Sequence, residues 1–310
     1  LRAADPGASR RLLVVSTSTW AAYNHWGGPS YYTGGTASST ARPLPKGFLD
    51  RPEPQRFRNA ATAPEGDPEM HGFTAYALKG GVSAFSGCAG WPNWERPFAA
   101  FCEREGLDLE YATSHDLEAV PGLLAPYRLY LSVGHDEYWS WGMRDAVEGF
   151  VAGGGNAAFF SGNTAYWQVR FEEDGRRIVC FKFRFEEDPV RGTAQARRTT
   201  TLWSDPILGR PENALTGVSF TRGGYLREGY GVPLGSGGYT VWRPDHWAFE
   251  GTALRYGDLL GARHGVAGYE ADGCELALED GLPVATGRDG TPPGFEVLAT
   301  SPAHLWTHED

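Results

Sequence analysis

The sequence predicts an α/β protein: an open parallel sheet with helices on its faces, followed by an irregular, β-leaning extension. Three observations carry that prediction. Short apolar runs such as "RLLVV", "YRLYLSV" and "NAAFF" alternate with amphipathic stretches, the rhythm of βαβ units. Polar segments follow each run, as they do where parallel strands end at the rim of a sheet. Beyond about Glu172 the chain turns Gly-, Trp- and Pro-rich, with short alternating runs and little helical periodicity. A single domain spanning 1–310 is expected, its α/β core at about 12–172 and the extension at about 173–310 packed on it.

"RLLVVSTST" reads as a buried strand running into small polar residues. From Trp20 to about Phe73 the chain is rich in Gly, Pro, Ser and Thr and lacks periodicity. Segments of that length inside a domain are working loops or linkers. The aromatic half, "TWAAYNHWGGPSYYTGG", reads as a site loop, and "ARPLPKGFLDRPEPQRF" as covering coil. "WERPFAAFCEREG" sets Trp94, Phe98, Phe101 and Cys102 on one helical face, with Pro97 in the tolerant first turn and Gly106 as the stop. "LDLEYAT" and "YRLYLSV" read as strands. Ser140 is placed to cap a helix whose apolar stripe is Met143, Ala146, Val147, Phe150 and Val151, closed by "GGG". "NAAFFSGN" reads as a buried strand ending in a polar turn, and "RRIVCFKFRFEED" as one arm of a hairpin.

Composition removes several function classes. A formal net charge of −10 without a Lys/Arg cluster excludes a nucleic-acid partner. No apolar run approaches the roughly 18 residues that a membrane span needs. Cys88, Cys102, Cys180 and Cys274 are far apart and form no CxxC pair, so neither a zinc site nor a disulfide framework is expected. A cytoplasmic location is expected. The chain starts without Met and without an apolar signal segment, as a processed or excised piece would.

Three polar clusters fall at strand ends: "TWAAYNHWGGPSYY", "GHDEYW" and "SGNTAYW". No G-x-S-x-G elbow, H-E-x-x-H, P-loop or G-x-G-x-x-G occurs. Ser161 in "FFSGN" therefore reads as a turn serine rather than a nucleophile. His135 and Glu137 stand two apart on an extended segment, so both side chains point the same way. That spacing suits a ligand with an adjacent base, and equally a hydrogen-bonded pair bracing the turn. Asp136 then faces away, toward a turn or the backbone.

"STSTWAAYN", "GGPSYY", "GHDEYWS", "VEGFVAGGGNAAFFSGNTAYWQVRFE" and "GYEADG" resemble the catalytic domain of the N,N-dimethylformamidase large subunit family, from roughly Leu12 to Asp272. The resemblance implies a glutamine-amidotransferase-like, flavodoxin-like sheet and a mononuclear ferric iron held by two tyrosines and a glutamate. Those residues would be Tyr23, Tyr32 (with Tyr31 competing for the role) and Glu137. His135 would be the catalytic histidine, and Glu270 a further active-site carboxylate. Asn163 and Trp167 also match, without an assigned role. Two phenolates and a carboxylate are hard anionic donors, suited to ferric iron rather than to zinc. A histidine beside the metal could return a proton to a departing amide nitrogen.

The expected function is iron-dependent hydrolysis of a C–N amide bond in a small molecule. The chain is expected to work with a small companion subunit or as a homo-oligomer. The alternative from a different class is a non-catalytic ligand- or partner-binding domain on the same fold. It predicts that rim tryptophans, and not Glu137, govern binding.

Overall fold

The structure, a computed structural model, describes residues 8–23, 30–40, 89–225, 237–268 and 270–305. The predicted covering coil, the loop 24–29 and Cys88 lie outside them. The chain divides into two units, Leu1–Ser161 with Ala165–Gly209, and Gly162–Thr164 with Arg210–Asp310.

The first unit is built on a four-stranded parallel sheet. Strands β1 (Arg11–Val15), β3 (Glu110–Thr113), β4 (Leu129–His135) and β6 (Asn156–Gly162) lie in the order β3-β1-β4-β6. β1 pairs in parallel with β3 and with β4. Asn156, at the start of β6, donates its N–H to the Arg128 carbonyl beside the start of β4, at 3.0 Å. "RLLVV" is central, and from Leu12 to Val15 both faces are buried, as an uninterrupted apolar run requires. Leu13, Leu131 and Val133 form a core cluster under Trp91, Phe98 and Tyr111.

Helices stand between the strands. α1 (Thr17–Tyr23) follows β1, α2 (Glu95–Arg104) precedes β3, α3 (Ser114–Ala119) follows β3, and α4 (Trp141–Ala152) precedes β6. Ser140 caps α4 as expected: its hydroxyl accepts the Met143 N–H at 3.1 Å. Thr113 caps α3 in the same way, through the Asp116 N–H at 3.1 Å. Gly106 (φ +69°) ends the α2 turn as the sequence requires.

A second four-stranded sheet in this unit has the order β2-β8-β7-β5, from β2 (Ala37–Ser39), β5 (Tyr138–Ser140), β7 (Trp167–Glu172) and β8 (Arg177–Val179). β5 runs parallel to β7, and the other pairs are antiparallel. β5 follows β4 after two residues, so the "GHDEYW" segment joins the two sheets.

Four local expectations are corrected. "NAAFF" is an edge strand with its residues half-buried and Phe160 61% exposed, because no fifth strand of this sheet lies beyond it among the described residues. Phe101 turns outward, and α2 buries Glu95, Ala99 and Cys102. On α4 the buried residues are Met143, Arg144 and Val147, while Val151 is exposed. "RRIVCFKFRFEED" is a strand only as far as Val179, and Lys182–Glu187 coils into a 3₁₀ turn.

The second unit is built mainly of short strands. β9 (Ser219–Tyr225) pairs with β12 (Glu270–Gly273) and β16 (His304–Leu305). β10 (Tyr239–Val241) pairs with β11 (Leu259–Leu260) and β15 (Ala299–Thr300). β13 (Leu276–Glu279) and β14 (Leu282–Ala285) make a hairpin across Asp280-Gly281, both at positive φ, the turn that an Asp-Gly pair favours. Its one described α-helix is α5 (Asn213–Thr216).

No helix among the described residues is long and apolar enough to cross a membrane. Cys102, Cys180 and Cys274 are free thiols.

Candidate functional site

β1 turns directly into α1 at "STST", and the four small residues are spent on that turn. The Ser18 hydroxyl donates to the Tyr138 carbonyl at 2.7 Å. The Thr19 hydroxyl accepts the N–H groups of Glu137 and Tyr138 at 3.0 and 3.3 Å. The first helix is thereby tied to the segment between the two sheets, and Tyr23, in its last turn, meets His135 and Glu137. The predicted site loop is therefore a helix up to Tyr23. Seven residues of mostly small side chains carry no periodicity long enough to announce it.

The Tyr23 hydroxyl lies 2.8 Å from His135 Nε2 and donates to Glu137 Oε2 at 2.8 Å. His135 Nε2 and Glu137 Oε2 are 3.2 Å apart. Tyr23, His135 and Glu137 form a closed triangle, all three buried. The Tyr32 hydroxyl reaches the same carboxylate oxygen at 3.5 Å and pairs with the Tyr138 hydroxyl at 3.1 Å. The rings of Tyr23 and Tyr32 are 4.7 Å apart. Tyr31 points elsewhere: its hydroxyl donates to the Ile178 carbonyl at 2.8 Å. Of the two neighbouring tyrosines, Tyr32 is the one facing Glu137.

The second carboxylate oxygen of Glu137 accepts the indole N–H of Trp167 at 2.8 Å. Trp167 matched the family without a role, and this contact supplies one. Burial would push the Glu137 carboxyl up. The hydrogen bond and charge of His135 outweigh it, followed by the charge of Lys182 and the Tyr23 phenol, so Glu137 is held below its ordinary value. Tyr138 goes the other way, raised well above the usual phenol range by burial first and then by the Glu137 charge.

Lys182 is the residue that sequence reasoning missed. Its ammonium sits 3.9 Å above the Tyr32 ring and 5.0 Å from that of Trp167, a cation–π arrangement on the aromatic wall. It reaches there because its backbone is left-handed (φ +53°) at the start of the 3₁₀ turn. In "CFKFRF" it looks like one more residue of an alternating strand, and no residue-level signal marks the switch.

Trp94, at the N-cap position just before α2, closes the site. Its ring stands edge-on to His135 at 5.3 Å and to Tyr23 at 6.1 Å. Gly134 (φ +87°) lets it approach, since a Cβ there would lie 2.5 Å from Trp94 Cβ. The next residue, Glu95, is fully buried. Its Oε1 accepts from Ser16 N–H (3.2 Å), Ser16 hydroxyl (3.0 Å) and Trp20 indole (3.2 Å). Burial pushes this carboxyl up to about 7.

Asp136 faces away from the triangle, as alternation requires. Its partner is a side chain, the Ser132 hydroxyl at 2.8 Å, and burial raises its carboxyl to about 6. Ser161 bonds to the same Ser132 hydroxyl at 2.8 Å. In the second unit, Asp272 on β12 accepts the N–H groups of Asn163 (2.8 Å) and Thr164 (3.0 Å). Glu270 is the first residue of β12, half-buried and paired in register with Tyr225.

Chemically, two phenols and one carboxylate oxygen gather about one point, with an imidazole nitrogen beside them and an ammonium behind. An all-oxygen set of this kind suits a hard, highly charged cation, whose charge could displace phenol protons. No cluster of three or more His, Cys, Asp and Glu able to hold a metal occurs among the described residues. A metal here would therefore need the tyrosines.

Comparison with known proteins follows this geometry. The family model described as "N,N-dimethylformamidase beta subunit-like, C-terminal" matches residues 3–309. The N,N-dimethylformamidase beta subunit of Alcaligenes sp is 29% identical over 238 residues, covering 68% of this chain and 27% of that protein. The beta subunit from Paracoccus aminophilus is 28% identical over 238 residues, with the same coverage of each chain. The matched part thus spans about a quarter of the length of these relatives.

Proposed function

Since the chain belongs to the N,N-dimethylformamidase beta subunit-like C-terminal family, we propose that it is an amide hydrolase working at the Tyr23–Tyr32–His135–Glu137 cluster. The observation that carries this reading is the meeting of both phenols and His135 Nε2 at one oxygen of Glu137. The family's names point to a hydrolase rather than to a non-catalytic binding domain.

In this proposal Tyr23, Tyr32 and Glu137 would hold a mononuclear ferric ion. Iron bound there would supply Lewis-acid activation of the amide carbonyl and of the attacking water. The chain's own residues do the rest. His135 moves a proton at Nε2, taking it from water and giving it to the leaving nitrogen, which departs poorly as an anion. Trp167 fixes the rotation of the Glu137 carboxylate. Lys182 supports negative charge on Tyr32 and Glu137 from behind the ring. Trp94, Tyr138 and Trp167 keep water from these charges and so strengthen them.

Glu270 is proposed as a further carboxylate of the reaction on the family resemblance. The strand order β3-β1-β4-β6 is that of the first four strands of a flavodoxin-like sheet, which supports the glutamine-amidotransferase-like assignment. The relatives are beta subunits, so a companion subunit is proposed here too. Free thiols at Cys102, Cys180 and Cys274 agree with a reducing, cytoplasmic location.

The test is product release from N,N-dimethylformamide and a panel of small amides by iron-supplemented protein. Amine release that chelation removes, and that Glu137→Gln abolishes, is expected. Release that is indifferent to both treatments, or absent from every amide tried, would remove the proposal.

A further inference from the structure

Two stretches of the sequence, "GNT" and "EADG", come together in the second unit, and Asp272 joins them. Its two carboxylate oxygens accept successive backbone N–H groups: Oδ1 takes that of Asn163 at 2.8 Å and Oδ2 that of Thr164 at 3.0 Å. Gly162 lets β12 come close, since a Cβ there would lie 2.5 Å from the Glu270 carbonyl oxygen. The turn held in this way is strained. Asn163 (φ +52°) and Ala165 (φ +53°) are both left-handed, a conformation that is costly for a residue with a Cβ and persists only where its surroundings over-determine it. Left-handed backbone also swings consecutive N–H groups toward one point, the concavity in which proteins hold anions. The Asp272 carboxylate takes that place.

The chain that leaves this turn backs the site. The Ala165 N–H donates to the Asp136 carbonyl at 2.8 Å, and the Trp167 N–H to the Glu137 carbonyl at 2.9 Å. The Trp167 indole then reaches the Glu137 carboxylate at 2.8 Å. Every residue from Asn163 to Trp167 is buried, so the stretch between the Asp272 contacts and the indole has little freedom to adjust. We propose that Asp272 is a positioning residue: by clamping the left-handed turn it fixes where the chain enters β7, and so keeps the Trp167 indole on Glu137. Hydrogen bonds to a carboxylate are about twice as strong as neutral ones, which suits it to holding a strained turn. The hold on Trp167 is independent of the amidase reading. Its effect on turnover rests on Glu137 working as proposed above.

Hydrogen exchange of the indole N–H groups in ¹⁵N-tryptophan-labelled, iron-free protein tests the hold. Asp272→Ala should speed exchange at the Trp167 indole by about tenfold or more, the scale of one lost hydrogen bond to a charged group. Two other indoles serve as controls: that of Trp203 donates to the Trp139 carbonyl at 3.3 Å, and that of Trp242 to the Thr300 hydroxyl at 2.8 Å. Both should keep their rates. An unchanged Trp167 rate, or equal acceleration of all three indoles, would overturn the positioning role. Asp272→Asn keeps one oxygen acceptor and should fall between wild type and Asp272→Ala. Should Asp272→Ala fail to fold, Asp272→Asn carries the same comparison with a smaller acceleration at Trp167. On an amide that the wild type hydrolyses, Asp272→Ala should lower kcat by about tenfold or more with KM little changed, as a misplaced reacting group would. Full kcat would overturn the effect on turnover. A wild type that hydrolyses no amide removes the proposed function alone, and the exchange rates still decide the hold on Trp167.

Discussion

Glu95 gives a prediction whose size can be worked from its surroundings. It is fully buried, three donors converge on Oε1, and Oε2 has no hydrogen-bond partner among the described residues. Burial raises its carboxyl from the ordinary 4.5 to about 7. The folded protein therefore keeps a proton that the unfolded chain has lost, and stability falls as pH rises through this window. The stabilisation is complete below 4.5 and gone above about 7. At about 1.4 kcal/mol per pH unit of displacement, the whole effect is about 3 kcal/mol. Glu95→Gln keeps the Oε1 acceptor and cannot ionise. Urea unfolding of both proteins at about pH 4 and about pH 8 isolates the effect. Asp136, also raised, acts in the same direction, and Glu137 and Asp188, both lowered, oppose it. These groups are shared by both proteins and cancel in the comparison. The wild type should lose about 3 kcal/mol more than Glu95→Gln between the two pH values. Equal losses would refute the placement of an uncharged acid at this turn.

Other substitutions have expected outcomes. Gly134→Ala forces a Cβ against Trp94 at a positive φ, so it should cost about 2–4 kcal/mol of stability in urea unfolding and reduce activity as Trp94 moves off His135. Trp167→Phe leaves Glu137 Oε1 without its donor; a loss of about 1–3 kcal/mol is expected from thermal or urea unfolding, together with a raised carboxyl pKa. Lys182→Met keeps the packing on Tyr32 and removes the charge. It should lower kcat about tenfold or more with the fold retained by circular dichroism, as loss of one partly desolvated cation would.

The legible parts of this protein are those in which local chemistry and tertiary structure agree. β1, β3 and β4 were readable because central strands of a parallel sheet leave unbroken or alternating apolar runs. Ser140 and Gly106 were readable because caps have few alternatives. His135 and Glu137 could be seen to share a side from their spacing alone, and the structure puts them in contact. Less was visible where position in the sheet decides exposure. "NAAFF" has a buried strand's composition and stands at an edge. The pairing of Tyr23 with Tyr32, rather than Tyr31, needed the family resemblance, because a phenol in an aromatic loop looks the same whether it packs or faces a carboxylate. Lys182 was invisible for a backbone reason: a left-handed lysine interrupts the alternation that its neighbours advertise.

The central claim is that Tyr23, Tyr32 and Glu137 together form a ferric site. Iron content and the visible absorption spectrum of the ferric-loaded protein, beside Tyr23→Phe and Tyr32→Phe, test it most directly. The account predicts one iron per chain and a phenolate-to-iron charge-transfer band that each substitution shifts or weakens. A chain that takes up no iron, or a band unchanged by both substitutions, would contradict it.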